Sequence, residues 1–303
     1  MRKWSILLLI LCLLTGCASA PAGPEPAQPP PPPVQPPAAV EEPPCVLTLD
    51  MVEWEDSAQS DGGVELARCR FCLPRLTACR ADGAAIETAG TEAETRALEA
   101  AETFNGQFSN WTGGEPLREL TDMARAEWDW RQEADIPWTA ALSAELECRV
   151  YQTERLVSVA GNYYSYTGGA HPNTVLMAWN FDLETGAFFE PEQLAEDGGA
   201  FSQAVSEEIV RQIRLRAEES GMAAEEMFWS NYEEIAATWS SYAVSFDESG
   251  MTVAFSPYEL AAYAAGPQVF RLDNGFLSQW LGEYGHRVLG PAAESAAEQP
   301  DAS

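Results

Sequence analysis

The chain has 303 residues and carries 47 acidic side chains against 17 basic ones, a formal charge of −30. Such a surface repels nucleic acid and anionic lipid headgroups, so neither is expected as a partner. The acidity either favours basic proteins, through association that weakens as salt rises, or serves solubility alone.

At the N-terminus, Arg2 and Lys3 precede an apolar run from Ile6 to Leu14, which overlaps "LLTGC" ending at Cys17. The run has signal-peptide length and is too short to span a bilayer. A small residue before a cysteine resembles the bacterial lipobox. Residues 1–17 are therefore expected to be a lipoprotein signal peptide, cleaved before Cys17, whose thiol carries lipid. The alternative is an ordinary secretory signal in which Cys17 stands by chance. The expected location is extracytoplasmic, with a lipid anchor as the membrane attachment. Residues 18–44 hold twelve prolines. They predict a disordered, extended linker reaching about 80 Å at about 3.1 Å per residue. Residues 291–303 predict a disordered tail, which leaves 45–290 to fold.

The runs "CVLTLDMVEW" and "GVELARCRFCLPRL" have strand character around Asp61-Gly62-Gly63, with Pro74 marking an edge or a strand end. Leu98, Ala101, Phe104, Phe108 and Trp111 recur at helical spacing, and a second helix is predicted from Pro116 through Leu117, Leu120, Ala124 and Trp128. Trp128, Trp130 and Trp138 form either an aromatic surface or, as the commoner case, packing between this helix and a sheet. Leu142, Ala144, Leu146, Cys148 and Val150 alternate as in a strand, and "RLVSVAGNYYSY" and "TVLMAWNFDL" follow. Phe201, Val205, Ile209 and Ile213 line one face of a long helix that Gly221 stops. "MTVAFSPYELAAYAAGPQVFRL" supplies two short strands around an irregular loop. The mixed order predicts an α+β fold of antiparallel sheets packed with helices, in two small domains, 45–140 and 141–290.

Beyond the leader the cysteines are Cys45, Cys69, Cys72, Cys79 and Cys148, an odd number. Cys69 and Cys72 would point to opposite faces of a strand, which disfavours a shared metal. A hairpin pairing of Cys79 and simple buried thiols both remain open. Only His171 and His286 are present, and no GxSxG elbow, P-loop or GxGxxG after a strand occurs. Neither a catalytic site, a metal nor a cofactor is therefore expected.

Three stretches stand in order: "YSYTGGAHPNT", "NFDLETGAFFEPEQL" and "FSPYELAAYAAGPQVF". Together they resemble the DUF3298 domain, and residues 45–140 resemble the DUF4163 domain that often precedes it. Chains with this pair include the extracellular part of a lysozyme-binding anti-sigma factor and the N-terminal part of a peptidoglycan deacetylase. The resemblance implies an extracytoplasmic module that binds a lysozyme-like basic protein or peptidoglycan. The alternatives are a peptidoglycan-acting enzyme or accessory domain and a structural envelope lipoprotein. Gly168-Gly169 predicts a turn, and His171 before Pro172 is expected to hold that turn or to contact a ligand. Tyr164, Tyr166, His171, Pro172, Asn173, Pro257 and Tyr258 are the candidate partner contacts, and Glu259 is expected to accept loop backbone N–H groups.

Overall fold

The computed structural model describes residues 45–112 and 114–290. The leader with Cys17, the proline-rich segment and the C-terminal tail lie outside the described residues. The first two strands, β1 (Cys45–Gln59) and β2 (Glu65–Arg80), form a long antiparallel hairpin. β2 is joined on its other side by β3 (Leu142–Gln152), and this one pairing is parallel, Ala67 to Cys72 running beside Leu142 to Glu147. Then β4 (Leu156–Tyr166), β5 (Asn173–Asp182) and the short β6 (Ala187–Phe188) continue antiparallel, so the sheet runs in the order β1 to β6.

Between β2 and β3 the chain forms α1 (Glu92–Gln107) and α2 (Glu115–Glu133), which cover one face of the sheet. Thr91 caps α1 by accepting from the Glu94 N–H, and Glu94 in turn accepts from Gly90 N–H and Arg80. The predicted apolar faces point inward: Ala101 and Phe104 of the first helix, Phe108 just past its end, and Leu117, Leu120 and Ala124 of the second are buried. They pack on Phe71, Leu146, Val157, Val159 and Phe181, forming the first core. Trp128 and Trp138 meet edge to face, and Trp138 Nε1 donates to Glu65 O. Trp130, expected in that packing, is instead 57% exposed.

β2 extends beyond the end of β3, and there α1 completes its ladder. Leu76 N–H donates to Asn105 Oδ1 at 2.9 Å, and Asn105 Nδ2 donates to Leu76 O at 2.8 Å. The side-chain amide thus substitutes for a neighbouring strand. Pro74 lies two residues earlier with the same orientation, so its missing N–H costs no bond to β1. Asn105→Ala is expected to destabilise the fold by about 1–3 kcal/mol, because it leaves two buried backbone groups of Leu76 unpaired. The midpoint of urea unfolding measures this; an unchanged midpoint would show that water replaces the amide.

The second core lies on the other side of the sheet. It is built on α3 (Gly198–Ser220), whose Phe201, Val205, Ile209 and Ile213 are fully buried. Gly221 ends the helix at φ 66°, a left-handed conformation that suits glycine. A three-stranded antiparallel sheet, β7 (Ala243–Asp247), β8 (Gly250–Phe255) and β9 (Gln268–Asp273), turns Phe246, Val253, Phe255 and Phe270 into this core. Short helices α4 (Ala224–Met227), α5 (Tyr232–Ala236), α6 (Asn274–Leu277) and α7 (Glu283–Leu289) surround it. The architecture is α+β, with one core on each side of the larger sheet.

A buried polar relay joins the two sheets. Phe246 N–H donates to Ser158 Oγ at 2.7 Å, Ser158 Oγ donates to Asn180 Oδ1 at 2.8 Å, and Asn180 Nδ2 donates to Val244 O at 2.8 Å. The outer backbone edge of β7 is therefore tied to side chains of β4 and β5 rather than to another strand.

Candidate functional site

Two loops meet at one end of the molecule. The turn between β4 and β5 carries Gly168 and Gly169 at φ 94° and 95°, as the glycine pair predicts. It rests against the loop between β8 and β9. The Tyr263 hydroxyl donates to Pro172 O at 3.0 Å, and the His171 ring stacks on Tyr263 with centroids 4.1 Å apart. His171 Nδ1 lies 2.9 Å from Pro172 O, so the imidazole holds backbone as expected while its ring remains exposed.

Tyr258 completes the corner. Its ring lies 5.3 Å from Tyr263 and 6.4 Å from His171, and it is 53% exposed. Its φ is 75°, an outlier for a bulky side chain. The surroundings fix this conformation from both sides. Trp229 Nε1 donates to Tyr258 O at 2.9 Å, and Trp229 N–H donates to Leu260 O at 3.0 Å. Glu259 accepts the Ser256 N–H, and Ser256 Oγ accepts the Leu176 N–H at 3.0 Å, anchoring the loop to β5.

The remaining candidates sit nearby but play other parts. Pro257 is half-buried, and Asn173 is exposed at the start of β5. The Tyr166 hydroxyl donates to Gly169 O at 3.3 Å within the turn. Tyr164 belongs to the uncovered face of the larger sheet, where it lines a cleft of about 370 Å³ with Glu53, Arg70, Cys72 and Glu145. That cleft shares Glu147 and Asn162 with one of about 480 Å³. The larger cleft lies between Arg149, Ala160 and Met177 on one side and Ser245, Thr252 and Arg271 on the other.

Residues 192–274 match the family model DUF3298, described as a protein of unknown function. The DUF3298 match runs from just before α3 to just past the end of β9. It takes in the third of the three sequence stretches, including Tyr258 and Tyr263, and only the last three residues of the second, Glu192 to Leu194, with none of the first. A solved DUF3298 family member from Bacteroides fragilis NCTC 9343 is 15% identical, with 85% of this chain and 100% of that chain covered and a TM-score of 0.56. At that identity the likeness is one of fold. A DUF3298 family protein from Pseudomonas aeruginosa PAO1 is 14% identical, covering 79% of this chain and 96% of that one with a TM-score of 0.44. None of the curated proteins matches the chain.

The cysteines contribute packing. All five described cysteines are free, and Cys69 and Cys72 do point to opposite faces: Cys69 enters the first core, whereas Cys72 lines the smaller cleft. Burial pushes the thiol of Cys69 up to about 11 and that of Cys148 up to about 12. Burial, then Glu53 and Glu147, raises Cys72. These thiols stay protonated near neutral pH, which makes them poor nucleophiles and poor metal ligands. Among the described residues no group of three or more His, Cys, Asp or Glu is placed to hold a metal ion, and no helix is long and apolar enough to cross a membrane.

Sequence reasoning missed Tyr263 and Trp229. Both make the corner rigid, Tyr263 by stacking under His171 and Trp229 by gripping the Tyr258 carbonyl. An aromatic residue set among the small residues of "LAAYAAG" was the available signal for Tyr263.

Proposed function

We propose that the protein is a lipid-anchored, extracytoplasmic binding module that presents the His171–Tyr258–Tyr263 corner to a basic protein partner. The observation that carries this reading is Tyr258, an exposed ring held at a strained φ by fixed neighbours. Strained residues cluster where function requires them, and rigid aromatic anchors supply most of the energy of many interfaces. The −30 charge favours a cationic partner. The resemblance of residues 45–140 to the DUF4163 domain, and of the pair to the extracellular region of a lysozyme-binding anti-sigma factor, makes lysozyme the first partner to test.

Pull-down of the protein on immobilised lysozyme is expected to retain it at low salt and to retain less at moderate salt. Charge reversal of lysozyme by succinylation is expected to abolish retention. Loss of lysozyme binding at low salt would end this version of the proposal.

A further inference from the structure

β1 is an edge of the larger sheet, 15 residues long. The pairing at Leu76 fixes which of its backbone groups are free. Leu76 turns its N–H and C=O away from β1 toward Asn105, so its partner Leu49 turns its own pair outward. The register runs without a shift from Cys45 to Ala58. Alternation therefore gives Leu47, Met51, Glu53 and Glu55 the same outward orientation. Ser57 belongs to this set, and its N–H is capped by Asp56 Oδ1 at 2.8 Å, which closes the open run at that end. Among the described residues nothing is hydrogen-bonded to the outer backbone groups from Leu47 to Glu55.

Edges of this length are ordinarily blunted by lysine, proline or a bulge. β1 contains neither lysine nor proline, and its only bulge falls after Ala58. Val46, Met51 and Val52 are exposed on it at 51%, 41% and 42%. Its guard is negative charge: Asp50, Glu53 and Glu55 have no ion pair among the described residues. That guard works against a second copy, because antiparallel self-pairing centred on Glu53 sets Glu53 opposite Glu53 and Asp50 opposite Asp56. It works in favour of a strand bearing the opposite sign.

We propose that the β1 edge accepts an extended, cationic polypeptide segment as an added strand, with its backbone completing the ladder from Leu47 to Glu55. Basic side chains at alternate positions of that segment meet Glu53 and Glu55, which share a face, and apolar ones meet the exposed valines on the opposite face. This surface is separate from the aromatic corner, so either proposal can fail alone.

The test uses the full chain and a synthetic peptide in which lysine alternates with valine, compared with the same peptide N-methylated at alternate residues. N-methylation keeps the charge and removes the ladder donors. The lysine peptide is expected to bind at least about tenfold more tightly than its N-methylated form, less tightly as salt rises, and with slowed amide exchange in β1. Met51→Pro is expected to cause a similar loss with an unchanged unfolding midpoint, because Met51 faces Pro74 and its N–H makes no bond to β2. Should Met51→Pro fail to fold, the two peptides still decide the matter. Equal binding of both peptides, no binding of the lysine peptide, or a dimer of the chain itself formed through β1 would each overturn the proposal.

Discussion

Asn180→Ala is expected to destabilise the protein by about 2–4 kcal/mol, the largest effect of any single polar substitution described here. The carboxamide makes two bonds in a buried relay, accepting from Ser158 Oγ and donating to Val244 O. Removing it leaves the buried Ser158 hydroxyl and the Val244 carbonyl without their partner. Ser158→Ala is expected to cost less, about 1–3 kcal/mol, since it leaves the Phe246 N–H unpaired but keeps the bond to Val244. The double variant should be less destabilised than the sum of the two, because both substitutions break the same relay. Urea unfolding of the four proteins measures the coupling. Strict additivity would mean that the smaller sheet is held to β4 and β5 by apolar packing and that the relay is incidental.

Substitution of Tyr258 separates stability from binding. A bulky residue at φ 75° carries a backbone cost of about 1–2 kcal/mol that glycine does not. Tyr258→Gly is therefore expected to leave the stability unchanged or to raise it by up to about 1 kcal/mol, after loss of the contacts with Tyr263 and His171. Tyr258→Ala retains the strain and loses the same contacts, so it should be the less stable of the two. Both are expected to weaken binding to the basic partner by about 2 kcal/mol, roughly thirtyfold, as for an interface anchor. Surface plasmon resonance on immobilised lysozyme, together with thermal unfolding, gives both quantities. Undiminished affinity in Tyr258→Gly would remove the aromatic corner from the interface.

The elements were legible in the sequence because each rests on local physics. The i, i+4 spacing of Phe201, Val205, Ile209 and Ile213 sufficed for the long helix, and Gly221 for its end. The three-residue offset of Cys69 and Cys72 sufficed for their opposite faces. What local pattern cannot encode is which strand lies beside which. Nothing in "ELARCRFC" announces a parallel neighbour beginning at Leu142, and nothing in "TVLMAWNFDL" marks Asn180 as the tie between two sheets. The candidate site was half legible for the same reason. The Gly168-Gly169 turn and the SPYE loop were each visible as loops, and Glu259 was readable as a backbone acceptor. Their meeting through His171 and Tyr263 depends on two sheets separated by the whole of α3. Trp130 shows the opposite error: grouped with Trp128 and Trp138 it reads as packing, the commoner case, but a step of two residues from Trp128 on a helix carries it to the solvent side.

The parallel junction between β2 and β3 bears on how the chain reaches this state. The hairpins β1–β2, β3–β4 and β4–β5 pair near neighbours and can close early. Ala67 and Leu142 meet across 75 positions (142 − 67), the span that holds both helices of the first core. That closure carries the loop-entropy cost and is rewarded only when α1 and α2 dock across the joined strands. Leu142, Ala144, Leu146, Cys148, Val157, Val159 and Phe181 complete a core whose other buried members precede residue 125. A fragment that starts or stops near residue 140 would thus present a raw strand edge and part of an apolar interior. The two halves are expected to be obligate folding partners, produced together or not at all.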